Sequence, residues 1–381
     1  MNSIKLGTIL KMVKGKKPKT QVHSQKDGLM PYCDIKAFET GKIDNYTDGE
    51  KCVACDEGDV LIVCDGARSG LVGFAMKGYV GSTLAKLSAE GVDNKYLFYF
   101  LQSKYTLLNT NMKGTGTPHV NQAILKDSYI YVPSIDEQQR IVARIEELFL
   151  ELNKAEETLL KTKEQLEVYR QAVLSTEFEN VSLINITSAF DITGGLTKNS
   201  KRKELKLKRP YLRVANVYYN RLDLTDIQEI GISATEEART LLQKDDLLFV
   251  EGNGSKDQIG RVAVWDGSIA NCLHQNHIIK GRGNGKILPI YAMYYLISRE
   301  GRKQILDIAS STSGLYTLSI NKIKRLNIPE CTLEEQISSI ERIENKLSVC
   351  REIEQTITKA LLQSQSLRQA ILKEAFTGKL V

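Results

Sequence analysis

An α+β architecture, with two similar mixed α/β lobes joined by two long antiparallel helices in a pseudo-two-fold arrangement, is predicted by three features of this 381-residue chain. The first is a repeat. Glu137-Gln138, Arg144-Ile145-Glu146 and Arg170-Gln171-Ala172-Val173-Leu174 return 198 residues later, without a gap, as Glu335-Gln336, Arg342-Ile343-Glu344 and Arg368-Gln369-Ala370-Ile371-Leu372. The second is periodicity. Ile141, Ile145, Leu148, Leu152, Ala155, Leu159, Thr162, Leu166, Tyr169 and Val173 follow one another by alternating steps of four and three, a heptad seam. The second copy keeps Ile343, Cys350, Ile353, Ile357, Ala360, Ser364, Leu367 and Ile371. The third is an absence: neither run holds an interior proline or glycine before Gly378. Each run can therefore continue for roughly 45 residues, about 65 Å. One apolar stripe on so long a helix needs a partner, and the two copies are the obvious pair.

In chain order, residues 1–133 form the first lobe and 134–180 the central spacer helix; 181–329 form the second lobe and 330–381 the C-terminal spacer helix. The first lobe opens on an exposed basic loop, Met12 to Thr20, with Lys14, Lys16, Lys17 and Lys19 around Gly15 and Pro18. Strand-like runs follow at Tyr32–Phe38, Val60–Cys64 and Leu71–Met76, bounded by glycine and aspartate turns. Asp93–Tyr105 reads as a helix with an aromatic body of Tyr96, Phe98, Tyr99 and Phe100. A loop, Gly114-Thr115-Gly116-Thr117-Pro118, precedes a last strand at Tyr129–Val132. The second lobe repeats this plan. Pro31-Tyr32 answers Pro210-Tyr211, Asp59-Val60-Leu61 answers Asp246-Leu247-Leu248, and Val132-Pro133 answers Ile328-Pro329, the offset rising from 179 through 187 to 196. A rising offset means that loops have lengthened while elements persist, and loops on a kept scaffold are where specificity is carried.

Composition is that of a soluble globular protein, 42% hydrophobic and 26% charged, with no run apolar enough to cross a membrane. The seven cysteines are too sparse for a disulfide scaffold and fit a reducing compartment, so the cytoplasm is the expected location. The net charge of +6 is unevenly spread: residues 134–179 carry −5 and 330–381 carry −1, leaving +12 on the lobes. Basic lobes on an acidic-to-neutral frame suggest a polyanionic partner.

Catalytic signatures are missing. The chain has no G-x-x-x-x-G-K-[ST] phosphate loop, no strand-borne G-x-G-x-x-G, and no Asn-Pro-Pro-aromatic tetrapeptide of the kind that grips a base for methylation. Cys52-x-x-Cys55 lacks a second C-x-x-C for zinc, and His274-x-x-His277 lacks an acid at metalloprotease spacing. Asp59, Asp65, Asp245, Asp246 and Glu251 read as turn formers beside strands rather than nuclease ligands, since no lysine lies two residues beyond Glu251.

Binding equipment remains. Lys198, Asn199, Lys201, Arg202 and Lys203 open a second basic run that continues to Arg209, in the same relative place as the lysine loop of the first lobe. Lysines there supply phosphate affinity, while sequence is read by side chains that reach base edges. The candidates for reading are Arg68, Ser69, Lys113, Thr117, His119 and Asn121 in the first lobe. In the second they are Asn216, Asn253, Ser255, Lys256, Arg282 and Tyr316.

Three stretches resemble the DNA-specificity subunit of type I restriction-modification enzymes. Val132-Pro133-Ser134-Ile135-Asp136-Glu137-Gln138-Gln139-Arg140-Ile141 is similar to that family's P-x-x-x-E-Q-x-x-I helix start. The run from Leu367 to Val381 matches its C-terminus, and Asp245 to Ser255 matches its strand with an N-G-S loop, from which Cys64-Asp65-Gly66-Ala67-Arg68-Ser69 departs. The resemblance implies two target recognition domains, each reading one half of a bipartite asymmetric site on double-stranded DNA. It further implies helices that set the gap and dock two methyltransferase subunits, with restriction or translocase subunits joining them. S-adenosylmethionine, ATP and magnesium would lie on those partners, and this chain would hold no cofactor or metal and would not itself be an enzyme. The alternatives are the specificity component of a methylation-only or phage-defence system, and a coiled-coil adaptor that reads no DNA.

Overall fold

The computed structural model describes residues 3–114, 116–312 and 314–380, so Thr115 of the predicted loop lies outside the described residues. It divides into two compact units, residues 1–160 with 358–381, and residues 161–357. Each unit contains one lobe and a stretch of both long helices.

In the first unit, strands β1 (Leu10–Lys14), β2 (Val60–Val63), β3 (Val72–Phe74) and β4 (Leu84–Ala89) form an antiparallel sheet in the order β1-β4-β2-β3. Helix α1 (Asn94–Ser103) starts on Asp93, whose carboxylate accepts from the amides of Lys95 and Tyr96, and buries Tyr96, Leu97, Phe100 and Leu101. A second sheet pairs Met30–Cys33 in parallel with Gly78–Val80. The run from Tyr32 to Phe38, expected as one strand, instead ends at Cys33. Asp34 there accepts from the amide of Ala37, and a helix runs from Ile35 to Thr40 before Gly41 closes it in the left-handed region. The basic loop is also shorter than expected, because Met12 to Lys14 belong to β1.

Helix α2 (Ile135–Glu177) leaves this lobe. In the second unit, β5 (Phe190–Gly194), β6 (Leu247–Val250), β7 (Val262–Val264) and β8 (Ile278–Gly283) repeat the first sheet as β5-β8-β6-β7, again antiparallel. The parallel pair recurs as Lys208–Leu212 with Leu273–His274, so that Tyr211 stands where Tyr32 does. Helix α3 (Pro289–Ile297) repeats α1, and helix α4 (Leu333–Ala375) leaves the lobe.

Helices α2 and α4 are each 43 residues long, and both of their ends are 198 apart. Their starts share a cause. Ser134 and Glu137, like Thr332 and Glu335, occupy the S/T-x-x-E places of a capping box: the Ser134 and Thr332 hydroxyls accept from the amides three residues on, and Glu335 returns the bond to Thr332. Past their ends, Asn180 and Gly378, also 198 apart, adopt positive φ of 57° and 73°.

Within each unit the two helices run antiparallel. In the first, Arg368 reaches Glu156 at 3.1 Å and Ser364 reaches the same carboxylate. In the second, Arg170 reaches Glu354 at 2.7 Å, while Glu177 accepts from Ser339 and Arg342. Arg170–Glu354 and Arg368–Glu156 are the same pair displaced by the repeat. The seam differs from expectation at these points. Tyr169, Ile353 and Leu367 are exposed, as is Ala155, and the neighbouring Arg170, Glu354, Arg368 and Glu156 are half-buried in their stead. A straight helix drifts against a strict heptad, so the inward position moves by one residue, and here the positions it reaches carry opposite charges.

Each lobe is fixed to the helices in the same two ways. Gln138, fully buried, accepts from the Asp93 amide at 2.8 Å and donates to the carbonyls of Gly91 and Pro133 at 2.9 Å. Gln336, also fully buried, accepts from the Leu288 amide at 2.7 Å and donates to Lys286 at 3.1 Å and Cys331 at 3.0 Å. Just beyond the end of the other helix, a phenylalanine meets two rings of the lobe. Phe376 packs on Tyr96 and Phe100 at 5.0 and 5.3 Å, and Phe178 on Tyr291 and Tyr295 at 5.3 and 5.4 Å.

Candidate nucleic-acid interface

The two predicted basic loops leave corresponding strands, β1 and β5, through corresponding glycines. A Cβ on Gly15 would lie 2.1 Å from the Gly81 carbonyl oxygen, and one on Gly195 would lie 2.2 Å from that of His274. Lys16 and Lys17 are exposed beyond Gly15, and Lys19 pairs with Glu50. Beyond Gly195, Lys198, Lys201, Lys203, Lys206 and Lys208 are exposed. Arg202 is not. Its guanidinium clasps both oxygens of Glu236, at 2.6 and 3.1 Å, and donates to the carbonyls of Thr197 and Gly231. Arg202 is the main reason that the Glu236 carboxyl is held down at about 2, well below the usual range. Asn199 caps the short helix Ser200–Glu204, accepting from the Arg202 amide.

A set of three short segments gathers on each of the loops after β2 and β6. In the first lobe, Asp65 and Lys113 both form bridges with His119. Asp65 accepts from Lys14 at 2.8 Å and meets His119 Nδ1 at 2.7 Å. Burial alone would raise the Asp65 carboxyl, but the bonds and charges of Lys14 and His119 outweigh it and leave the carboxyl below the usual range. Asp65 is thus the hub of a basic cluster rather than a turn former. In the second lobe the same segments widen into a three-stranded sheet of Gly252–Asn253, Leu315–Thr317 and Ser310–Thr312, with Tyr316 opposite Asn253. Here the carboxylate–imidazole pair is Glu251 with His277, at 3.0 Å. Lys14, Lys113 and His119 are therefore brought together in one lobe, and Asn253, Ser255 and Tyr316 in the other. Thr117 and Lys256 are exposed on the adjoining loops, and Arg68 is exposed in an ion pair with Glu39.

Four other predicted readers bond inside the lobe. Ser69 is fully buried, with its hydroxyl against the carbonyls of Cys64, Gly66 and Pro118. Asn216 accepts from the Arg213 amide and donates to the carbonyls of Asp223 and Asp226. Arg282 is locked on the buried carboxylate of Asp246 at 2.8 and 2.7 Å. Asn121 caps the helix Gln122–Asp127. Asn and Arg signal hydrogen bonding but not its direction, and here the nearest acceptors are backbone carbonyls for Asn216 and the Asp246 carboxylate for Arg282.

Among the described residues, no group of three or more histidines, cysteines or acids could hold a metal ion, and no helix is long and apolar enough to cross a membrane. Cys55 and Cys64 are buried thiols pushed up to about 12 and about 11, chiefly by burial. Sequence reading missed Arg213, Arg261 and Arg302. Arg261 and Arg221 both lie over the ring of Tyr218, at 4.8 and 4.6 Å, and Arg302 lies over Tyr219 at 5.1 Å. The run Tyr218-Tyr219 with Arg221 was the available signal.

Residues 1–162 match the family model described as the type I restriction modification DNA specificity domain. The MjaVIII specificity subunit of Methanocaldococcus jannaschii is 25% identical, over 99% of this chain and 92% of its own length. The EcoKI specificity subunit of Escherichia coli is 27% identical over 66% of this chain and 57% of its own. In fold, the chain is similar to a chain from a type I restriction-modification complex, with TM-score 0.74, 17% identity and 99% and 98% coverage. It is also similar to the HsdS subunit from Thermoanaerobacter tengcongensis, with TM-score 0.55, 16% identity and 99% and 97% coverage. The duplicated lobe-and-helix plan is the fold of those solved chains. The chain as a whole is thus similar to specificity subunits of type I restriction-modification systems, and its first 162 residues match their DNA specificity domain.

Proposed function

We propose that each lobe, 1–133 and 181–329, reads one half of an asymmetric, bipartite site on double-stranded DNA, and that helices 134–180 and 330–381 set the distance between the halves. One observation carries this reading. The lobes share a sheet order and a mode of attachment, yet the segments gathered on the loops after β2 and β6 differ: Lys113, His119 and Asp65 in one, Asn253, Ser255 and Tyr316 in the other. A common scaffold with unlike donor sets suits two unlike words. The exposed lysines supply sequence-independent phosphate attraction.

The helices dock two methyltransferase subunits, which restriction or translocase subunits join. Exposed Leu150, Leu160, Val168 and Leu362 on their outer faces support this, since apolar side chains in such number on a charged helix suit a protein partner. S-adenosylmethionine, ATP and magnesium belong to those partners, the complex works in the cytoplasm, and this chain selects sequence without catalysing. The test is to map methylated adenines across the genome of cells that express the modification subunits with and without this chain. A two-part asymmetric motif that depends on the chain is the expected result. Methylation unchanged by its removal would overturn the proposal.

A further inference from the structure

The loop between β2 and β3 and the loop between β6 and β7 start and finish alike. Gly70 donates its amide to the Val63 carbonyl at 2.8 Å, and Gly260 donates to that of Val250 at 3.1 Å. Both glycines have positive φ and abut a helix: a Cβ on Gly70 would lie 2.8 Å from Leu108 Cβ, and one on Gly260 would lie 2.5 Å from Ile305 Cγ2. The first loop carries Asp65 and Arg68; the second carries Asn253, Ser255 and Lys256 and is three residues longer.

From the abutting helix of each lobe, one side chain donates into its loop. Asn109, on Tyr105–Thr110, gives its amide to the carbonyls of Ala67 and Ser69 at 3.0 and 3.1 Å. Arg302, on Arg299–Ile308, gives Nη1 to those of Ile259 and Gly260 at 2.7 and 3.4 Å. Arg302 forms no ion pair among the described residues, and its guanidinium is steadied by the ring of Tyr219, whose hydroxyl donates to the Asp257 carbonyl at 2.6 Å. Two lobes of different sequence thus aim unlike donors, from different places on the abutting helix, at the carbonyl of the residue before the glycine, Ser69 in one and Ile259 in the other.

We infer that Asn109 and Arg302 are positioning residues for base reading, each fixing through loop carbonyls the geometry of the side chains that face DNA in its own lobe. This rests on the proposed function. A loop fixed before binding keeps base-edge donors where they discriminate, whereas a free loop would spend binding energy on becoming ordered.

The test uses the full chain with Asn109→Asp, Arg302→Ala and Arg302→Lys substitutions. Asp is the size of Asn but gives no donor, and Lys restores one donor. Hydrogen exchange of the amides in 254–260 should quicken about tenfold or more in Arg302→Ala, with first-lobe amides unchanged, and Arg302→Lys should recover much of the loss. Expressed with the modification subunits, Asn109→Asp should relax one half of the methylated motif and Arg302→Ala the other, each with about tenfold loss of discrimination. Affinity for unrelated DNA and its salt slope should stay at wild-type values, because no phosphate contact is removed. A simple folding defect would lower specific and unspecific binding together and overturn the inference. So would unchanged exchange, or relaxation of both halves by one variant. A wild-type chain that confines methylation to no motif overturns the proposed function instead, whatever the loops do.

Discussion

Gln138 and Gln336 show how much one side chain can hold. Each is buried with all three bonds satisfied, so truncation leaves an amide and two carbonyls without partners. Gln138→Ala and Gln336→Ala should each cost about 2 kcal/mol or more, read as a lower urea midpoint of the unit concerned. His274 is a second case. Burial holds its imidazole down at about 4, with the nearby charge of Lys280 adding to the effect, against an ordinary value of 6.5. Between those values the unfolded chain binds a proton that the folded chain refuses. The second unit should therefore have full stability above about pH 6.5 and lose on the order of 3 kcal/mol as pH falls to about 4. His274→Asn, whose amide nitrogen takes the place of Nδ1 and keeps a donor for the Ile278 carbonyl, should flatten that slope in urea titrations across the range. The Glu-Gln motif was legible as a repeat, but its purpose was not, since the three partners of Gln138 come from two separate segments. The inward bonds of Arg202, Arg282, Ser69 and Asn216 were hidden for the same reason: a donor's residue type is local, and its acceptor is not.

The long helices were the most legible elements, because capping boxes, heptad spacing and the lack of interior glycine are all properties of neighbouring residues. Their register was less so, since a heptad template places Ile353 and Leu367 inward. They are 38% and 50% exposed, whereas Leu347, which the template passed over, is 7% exposed. Leu347→Ala should cost about 2–4 kcal/mol of stability. Ile353→Lys and Leu367→Lys should change stability by less than about 0.5 kcal/mol. If the outer faces dock methyltransferase subunits, those lysines should instead weaken assembly, measured as subunit dissociation in analytical ultracentrifugation. Short strands were harder to read. The Tyr32–Phe38 run has strand-like residues, but Asp34 and Gly41 are cap signals, and they decide the outcome over so few residues.

At the scale of the molecule, a lobe and the chain segment that completes its core are far apart in sequence. Ile371, Leu372, Ala375 and Phe376 close the core that holds Leu6, Tyr96 and Ile141, while Phe178 and Val173 close the one that holds Tyr291 and Ile343. A chain ending at residue 360 retains every residue of 1–133, yet it should lose cooperative unfolding of the first unit, because Tyr96 and Phe100 lose the ring they pack on. The same logic defines how a lobe can be exchanged. Replacing 183–329 with the equivalent stretch of a relative keeps Phe178, Gln336 and the Arg170–Glu354 pair, and requires of the newcomer above all two aromatic rings and the backbone groups that meet Gln336. Expressed with the modification subunits, such a hybrid should direct methylation to a motif with one half new and the other unchanged. A change in both halves would mean that the lobes do not read independently, and that discrimination depends on residues outside the exchanged stretch.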